Sequence, residues 1–225
     1  FSTLTLLALY KFQSTSTFTY RVTQVIPFPV AKTGSSFVYY ENYLFELRRY
    51  MHYYESQQGT DFNSEAGKAQ LADFKKRALD NVIADAQVKQ LAKEHDITVS
   101  QAEIEAQMNL LRSQNRLGTN DQVFEDVLKE FWGWSVSDFR RELQSELLAQ
   151  KVVATLDTEA RSRADSVLAQ LQAGGDFATL AAEYSDEAST KANGGEYGID
   201  IQRTNRDISP QIIDALFQLQ PGEIS

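Results

Sequence analysis

The sequence offers little cysteine or histidine for catalysis or metal binding. The chain has no cysteine and two histidines, His52 and His95. A thiolate nucleophile, a disulfide scaffold and a Cys-ligated zinc site are therefore excluded, and little material is left for a histidine-rich metal site or a Ser-His-Asp triad. We expect the two histidines to be surface or packing residues. Most hydrolase and metalloenzyme functions are disfavoured before any motif is considered.

The charge of the chain also narrows the range of partners. The 225 residues include 22 Lys and Arg against 31 Asp and Glu, a net charge of −9. Residues 157–225 contribute 5 basic and 12 acidic residues to these totals, so most of the net negative charge lies in the last third. Nucleic-acid binding needs a basic face for the phosphates, and we therefore expect no nucleic-acid partner. The length predicts one or two globular domains.

The residues that could form a binding site are concentrated in the last third of the chain. Asp176 is predicted to cap a short helix whose apolar residues recur at helical spacing. A helix over 161–172 precedes it, and a polar, glycine-containing loop over 185–198 follows it. A further short helix is predicted from Pro210, since proline favours the first turn. The residues expected in the core of this part are Phe177, Leu180 and Phe217.

This pattern resembles the first two thirds of a parvulin-type peptidyl-prolyl isomerase domain. Parvulins open with a strand that carries a histidine and close with a strand that carries a second one, whereas 152–156 here leads almost directly into helix. The resemblance implies an incomplete α+β domain over 157–225, with both strands expected after Ser225. The matching residues are Gly175-Asp176-Phe177-Ala178, Leu180-Ala181, Tyr184-Ser185-Asp186, Ser189, Gly194-Gly195, Gly198, Pro210, Ala215-Leu216-Phe217 and Leu219-Gln220-Pro221-Gly222-Glu223-Ile224-Ser225.

The resemblance implies a reaction that needs no metal and no cofactor. Rotation about a peptide bond has a barrier of about 18–20 kcal/mol, and an apolar pocket lowers it because it disfavours the planar, charge-separated form of an X-Pro bond. The catalytic positions implied by the family are Glu187, where relatives place a residue near the substrate carbonyl, and Asp186 beside it. The substrate-binding residues implied are Tyr197, Ile208, Ile212 and Phe217.

Each of these assignments has a structural alternative. Asp186 could satisfy backbone donors of the loop instead of acting on substrate. Tyr197 and the two isoleucines could be ordinary core residues. We expect the glycines of the motif to serve backbone geometry rather than substrate contact, since glycine reaches conformations that other residues avoid.

The elements that would hold this domain are predicted to be helical. Residues 37–156 are similar in pattern to the N-terminal chaperone domain of SurA-, PrsA- and PpiD-like foldases. The expected fold class is therefore a mainly α, chaperone-like domain followed by the incomplete α+β parvulin-like domain. The elements predicted here are a strand over 36–40 and helices over about 41–56 and 64–95, from Ser100, from Asn120 to Phe131, and from Ser135 to about 152.

Residues 1–36 form an N-terminal segment with two interpretations. Residues 1–10 are mostly apolar, whereas a membrane-spanning helix needs about 20 apolar residues. They are either an ordinary buried strand or helix, or the last half of a membrane anchor, with Lys11 and the polar residues 13–17 at the membrane exit. With the second interpretation we expect an extracytoplasmic, membrane-anchored protein of the cell envelope, and the absence of cysteine fits that location.

Three functions compete at this stage. The first is a foldase that isomerises X-Pro bonds in exported proteins, and the second is a chaperone without isomerase activity. The partners of both are unfolded or partly folded exported proteins. The third is an inert structural or adhesion module of the envelope. The residues predicted to form a client surface, with helix packing as the alternative, are Tyr39, Tyr40, Tyr43, Tyr50, Tyr53, Tyr54, Trp132 and Trp134.

Overall fold

The computed structural model describes residues 2–118 and 120–224, most of which are helical. By their contacts the residues divide into two compact units. The first comprises Phe1–Glu105 and Leu117–Val152, and the second comprises Ala106–Arg116 and Val153–Ser225. The second unit therefore includes a short segment that lies between the two parts of the first unit in sequence. The domain boundaries after residues 36 and 156 stay predictions.

The first unit begins with a helical segment that places one side chain in the core. Helix α1 (Ser2–Leu6) continues into a π-helical turn (Leu7–Lys11). Leu9 is fully buried, and the Tyr10 hydroxyl donates a hydrogen bond to the Pro29 carbonyl. The apolar stretch is thus helical, with Leu9 buried and Leu4, Leu6 and Leu7 exposed, and its two interpretations stay predictions. Among the described residues, no helix is both long enough and apolar enough to cross a membrane.

A helix and a two-stranded sheet connect this segment to the long helices. Ser16 caps α2 (Thr17–Thr23) by accepting a hydrogen bond from a backbone N–H. Strand β1 (Pro29–Thr33) pairs antiparallel with β2 (Ser36–Tyr39). The sequence predicted β2, as a strand over 36–40, but not β1. Proline starts β1, where its missing N–H costs no ladder hydrogen bond.

Two long helices provide most of the core of the first unit. They are α3 (Tyr40–Gln58) and α4 (Glu65–Glu94), separated by Gly59 at φ +64° and by the Ser64 cap. Both helices were predicted, and the apolar stripe of α3 faces inward as expected. The buried cluster that they share with the N-terminal segment consists of Leu9, Phe28, Val38, Tyr40, Tyr43, Leu44, Leu47, Phe62, Phe74, Ala78 and Val82.

Three further helices, each with a predicted cap, follow in sequence. They are α5 (Gln101–Ser113), α6 (Asp121–Trp132) and α7 (Val136–Leu156). Ser100 and Glu103 form a capping box, in which each side chain accepts a hydrogen bond from the backbone N–H of the other. Asn120 caps α6 by accepting from a backbone N–H at 2.9 Å. The predicted helix caps at Ser100 and Asn120 are therefore confirmed.

The second unit adds four helices, and the part of it that the structure describes contains no strand. They are α8 (Thr158–Gln172), α9 (Phe177–Tyr184), α10 (Ala188–Lys191) and α11 (Pro210–Leu216). Helix α8 begins three residues before its predicted start, because Asp157 caps it. Helix α10 lies in the predicted loop. The helices of the expected α+β domain are therefore present in this unit.

Candidate functional site

Two glycines after α10 pack directly against α9. Gly194 has φ +66° and Gly195 has φ +82°, in the left-handed region that favours glycine. A Cβ atom on Gly194 would lie 2.6 Å from the Ala178 Cβ, and one on Gly195 would lie 3.1 Å from the Ala181 Cβ. Both glycines therefore serve backbone conformation and close packing, which is the role expected for them.

The two predicted catalytic carboxylates are adjacent, and each has a local partner. Asp186 accepts a hydrogen bond at 2.7 Å from Arg163 on α8. Glu187 caps α10 and accepts hydrogen bonds from the Ser189 hydroxyl at 2.5 Å and from its backbone N–H at 3.3 Å. These two hydrogen bonds lower the pKa of Glu187. Glu187 is therefore ionised at neutral pH and can accept a hydrogen bond but not donate one.

One of the predicted substrate-binding residues lies on α11, two flank this helix, and the fourth lies on the loop after α10. Ile208 is 7% exposed and precedes the helix cap, whereas Ile212 is 61% exposed on the helix. Phe217 ends the helix at 38% exposure, and Tyr197 on the loop is 50% exposed. Tyr197, Ile212 and Phe217 are accessible to a ligand, while Ile208 is in the core.

Two of the three residues expected in the core of this unit are not buried. Leu180 is buried as predicted, but Phe177 is 57% exposed and Phe217 lies at the surface. The Phe177 ring edge instead lies beside Gly195, and the Arg203 guanidinium lies 4.4 Å from the centre of the Phe217 ring. The expectation is wrong for both because each lies at the end of a short helix, Phe177 first in α9 and Phe217 directly after α11, where helical spacing does not specify burial.

A segment from the middle of the chain holds the loop that precedes α11. The Arg116 guanidinium donates to the carbonyl oxygens of Asn205, at 2.7 Å, and of Ile208. The buried Gln114 amide donates to the Pro210 carbonyl at 2.8 Å. These contacts fix the start of α11 and hence the position of its exposed residues. Sequence analysis missed them, because no local pattern pairs residues so far apart.

A groove with aromatic walls lies on the first unit, between α3, α4 and the end of α6. Its volume is about 220 Å³. The ring centroids of Tyr54 and Phe74 are 4.6 Å apart, and those of Tyr53 and Tyr54 are 5.4 Å apart. Such a surface can bind apolar side chains and still offer hydroxyl groups to a peptide backbone. The lining residues are Arg49, Tyr50, Tyr53, Tyr54, Phe74, Arg77 and Trp132.

The predicted client surface divides into residues that line this groove and residues that do not. Four of its eight members line the groove, namely Tyr50, Tyr53, Tyr54 and Trp132. Tyr40, Tyr43 and Trp134 are buried, so the prediction is wrong for these three and helix packing is their role. Tyr39 is exposed but lies on β2, beside a different cavity. Aromatic type alone did not distinguish the two faces of α3.

A buried carboxylate lies next to the groove and is held by an arginine of its wall. Glu46 accepts hydrogen bonds from Arg49, at 2.5 and 3.1 Å, and from the Asn81 amide at 2.9 Å. The Arg49 guanidinium also lies 4.8 Å from the Tyr50 ring centroid and 5.6 Å from that of Trp134. The sequence signal for this site is a charged residue between apolar Phe45 and Leu47.

The two histidines have structural surroundings. His52 Nε2 lies 3.0 Å from the Glu130 carbonyl oxygen, and the ring lies against Gly133. His95 is exposed at the end of α4. Both are surface or packing residues, as predicted. In residues 2–118 and 120–224, no group of three His, Cys, Asp or Glu side chains is placed to hold a metal ion.

Comparison with known proteins identifies two families along the chain. The SurA-like N-terminal domain family matches residues 2–153, and the PPIC-type PPIase domain family matches residues 142–225. The foldase protein PrsA of Caldanaerobacter subterraneus is 30% identical over 172 residues, which cover 71% of this chain and 54% of that protein. The chaperone SurA of Nitrosospira multiformis is 27% identical over 200 residues, which cover 68% of this chain and 44% of that protein.

A shorter and closer match is the chaperone SurA of Thiobacillus denitrificans, which is 45% identical over 67 residues, or 30% of this chain and 14% of that protein. The chain spans about half the length of the first curated relatives that it matches. No solved structure matches it.

Proposed function

We propose a function from one premise: this chain belongs to the SurA-like N-terminal domain family, and it continues into a PPIC-type PPIase domain. On that premise the protein is a foldase that isomerises X-Pro bonds in unfolded exported proteins. The observation that supports it most is the order of the two family matches along this chain. Relatives named foldase and chaperone match 71% and 68% of the chain. We place the protein outside the cytoplasm, anchored to the membrane.

The exposed apolar residues around α11 are proposed to seat the proline ring. Ile212 and Phe217 lie on and at the end of this helix, and Tyr197 is the third accessible member. Glu187, ionised at neutral pH, would lie near the substrate carbonyl, with Asp186 beside it. A negative charge at that position disfavours the planar form of the bond, whose carbonyl oxygen carries partial negative charge, and so favours the twisted transition state.

Replacing Ile212 with alanine is expected to lower kcat/KM for a proline tetrapeptide by about tenfold or more. Burying an isoleucine side chain contributes about 1.5–3 kcal/mol, and about 1.4 kcal/mol corresponds to a factor of ten in rate. The measurement is a protease-coupled isomerase assay on the full-length protein. Ile199→Ala is the matched control, because Ile199 is equally exposed in the same unit and has no assigned role.

The isomerase proposal fails if the wild-type protein gives no acceleration over buffer. The assignment of Ile212 fails if Ile199→Ala loses as much activity as Ile212→Ala while both retain the wild-type circular dichroism spectrum.

The second candidate function is a chaperone that holds clients without isomerising them, and the aromatic groove favours it. The Tyr53→Ser/Trp132→Ser double variant is expected to need about tenfold more protein to suppress aggregation of an unfolded client. Each of the two aromatic side chains is expected to contribute about 1 kcal/mol or more to the free energy of client binding, and together they account for that factor. Light scattering measures it, and Tyr39→Ser is the matched control, since Tyr39 is an exposed tyrosine outside the groove. Equal suppression by wild type and double variant would exclude the groove as the client site.

A further inference from the structure

A cavity lined by charged side chains lies on the first unit, beside the aromatic groove. It is bounded by residues of α3, α4 and α7, and its volume is about 260 Å³. Arg49 lines both the groove and this cavity, so one bound peptide can reach the two together. The charged side chains that line this charged cavity are Glu46, Arg49, Asp85, Lys89, Arg141 and Glu142.

Each cation of the charged cavity is already paired with a carboxylate. The closest nitrogen and oxygen atoms of these ion pairs are 2.5 to 2.6 Å apart. The pairs are Arg49 with Glu46, Lys89 with Asp85, and Arg141 with Glu41. The charged residue left over is Glu142, which makes no hydrogen bond or ion pair with any residue that the structure describes. The cavity therefore contains one uncompensated negative charge.

Glu142 is partly buried, so the absence of a partner is unfavourable for its charged form. Burial raises the pKa of the Glu142 carboxyl, and the nearby charges of Glu46 and Asp85 raise it further. The charges of Arg49 and Arg141 oppose this effect, but each guanidinium donates its hydrogen bonds to a different carboxylate. An ammonium or guanidinium group from another molecule would supply the missing partner.

We propose that the charged cavity binds a lysine or arginine side chain of an unfolded client through Glu142, while the aromatic groove binds an aromatic side chain of the same segment. Tyr53 of the groove and Glu46 of the cavity are seven positions apart on α3, about 10 Å along the helix. An extended peptide covers that distance in about three residues. The net charge of −9 on the chain also favours basic segments. The proposal rests on client binding by the first unit, the second candidate function, and needs no isomerase activity.

Fluorescence anisotropy with labelled peptides and the full-length protein tests this preference. The probe is a fluorescein-labelled peptide of glycine and serine that contains two adjacent phenylalanines and, three positions later, one lysine. The comparison peptide has norleucine in place of lysine, which removes the charge and keeps the aliphatic chain. We expect the lysine peptide to bind about tenfold more tightly, the equivalent of ~1.4 kcal/mol. A peptide with glutamate at that position is expected to bind more weakly than either.

Glu142→Gln is expected to reduce the preference for lysine over norleucine from about tenfold to less than about twofold, because the amide keeps the shape of the side chain but not its charge. The matched control is Glu146→Gln, since Glu146 is exposed one turn further along α7 and does not line the cavity. This control is expected to keep the full preference. Circular dichroism shows whether both variants are folded.

Equal binding of the lysine and norleucine peptides to the wild-type protein would overturn the proposal, as would equal losses of preference in Glu142→Gln and Glu146→Gln. The Tyr53→Ser/Trp132→Ser double variant separates the cavity from the groove. It is expected to weaken binding of both peptides by the same factor and to leave the lysine preference intact. Unchanged binding by the double variant would remove only the groove as client site, whereas no binding of any peptide to the wild-type protein would overturn both proposals.

Discussion

Arg49→Met is expected to cost about 3 kcal/mol of the free energy of unfolding of the first unit. Methionine approximates the volume of the arginine stem but leaves the Glu46 carboxylate, 6% exposed, without its cationic partner. Removing one member of a buried ion pair typically costs about 3–5 kcal/mol, because the remaining charge stays desolvated. The Asn81 hydrogen bond to Glu46 persists and places the expected loss at the lower end. Urea unfolding followed by tryptophan fluorescence measures it.

Tryptophan fluorescence reports the first unit alone, because the chain has two tryptophans and both belong to that unit. Glu46→Gln in the Arg49→Met background is expected to recover about half of the loss, since a neutral amide can keep the Asn81 partner without carrying charge. Arg77→Met is the matched control, because Arg77 also lines the groove but pairs with an exposed aspartate. Such pairs contribute about 0–1 kcal/mol. Equal losses in Arg49→Met and Arg77→Met would contradict the importance of the buried carboxylate.

Gly194→Ala is expected to destabilise the second unit by about 3 kcal/mol and to abolish its isomerase activity at physiological temperature. An alanine at φ +66° costs roughly 1–2 kcal/mol, and its Cβ would lie 2.6 Å from the Ala178 Cβ. Overpacking of this kind adds typically 1–3 kcal/mol. Far-UV circular dichroism during urea unfolding measures the loss, while the tryptophan signal of the first unit is expected to remain native.

Gly198→Ala separates the two contributions. Gly198 has nearly the same conformation, φ +68°, but no atom lies within 4 Å of a Cβ added there. Gly198→Ala is therefore expected to lower the free energy of unfolding only by the cost of placing alanine at a positive φ, about 1 kcal/mol. If both alanine variants unfold at the same urea concentration, the contact of Gly194 with α9 contributes nothing and the packing role assigned to it is wrong.

The parts of the fold that the sequence predicted depend on signals within three or four residues. Ser64, Asn120 and Asp176 each cap the helix expected after them, because a capping side chain needs only the next turn of its own helix. The long helical stripes were predictable for the same reason, since their periodicity repeats many times.

The parts that the sequence did not predict depend on residues far apart in the chain. The hydrogen bonds of Gln114 and Arg116 join positions 89 to 96 residues apart. The network of Glu46 and Asn81 joins two helices, and no periodicity specifies such a pair. Tyr43 is buried whereas Tyr50, on the same helix, is only partly buried. This difference depends on what packs against α3, which its own sequence does not encode.

The discontinuous second unit has a consequence for how the protein is synthesised. Gln114 and Arg116 leave the ribosome well before their acceptors around Pro210 do. At about 5–20 residues per second, synthesis of the residues between these donors and their acceptors takes roughly 5 to 20 seconds. These hydrogen bonds cannot form before then. A protein consisting of the last third alone would lack both of these hydrogen-bond donors. A fragment meant to fold autonomously therefore has to begin upstream of residue 106.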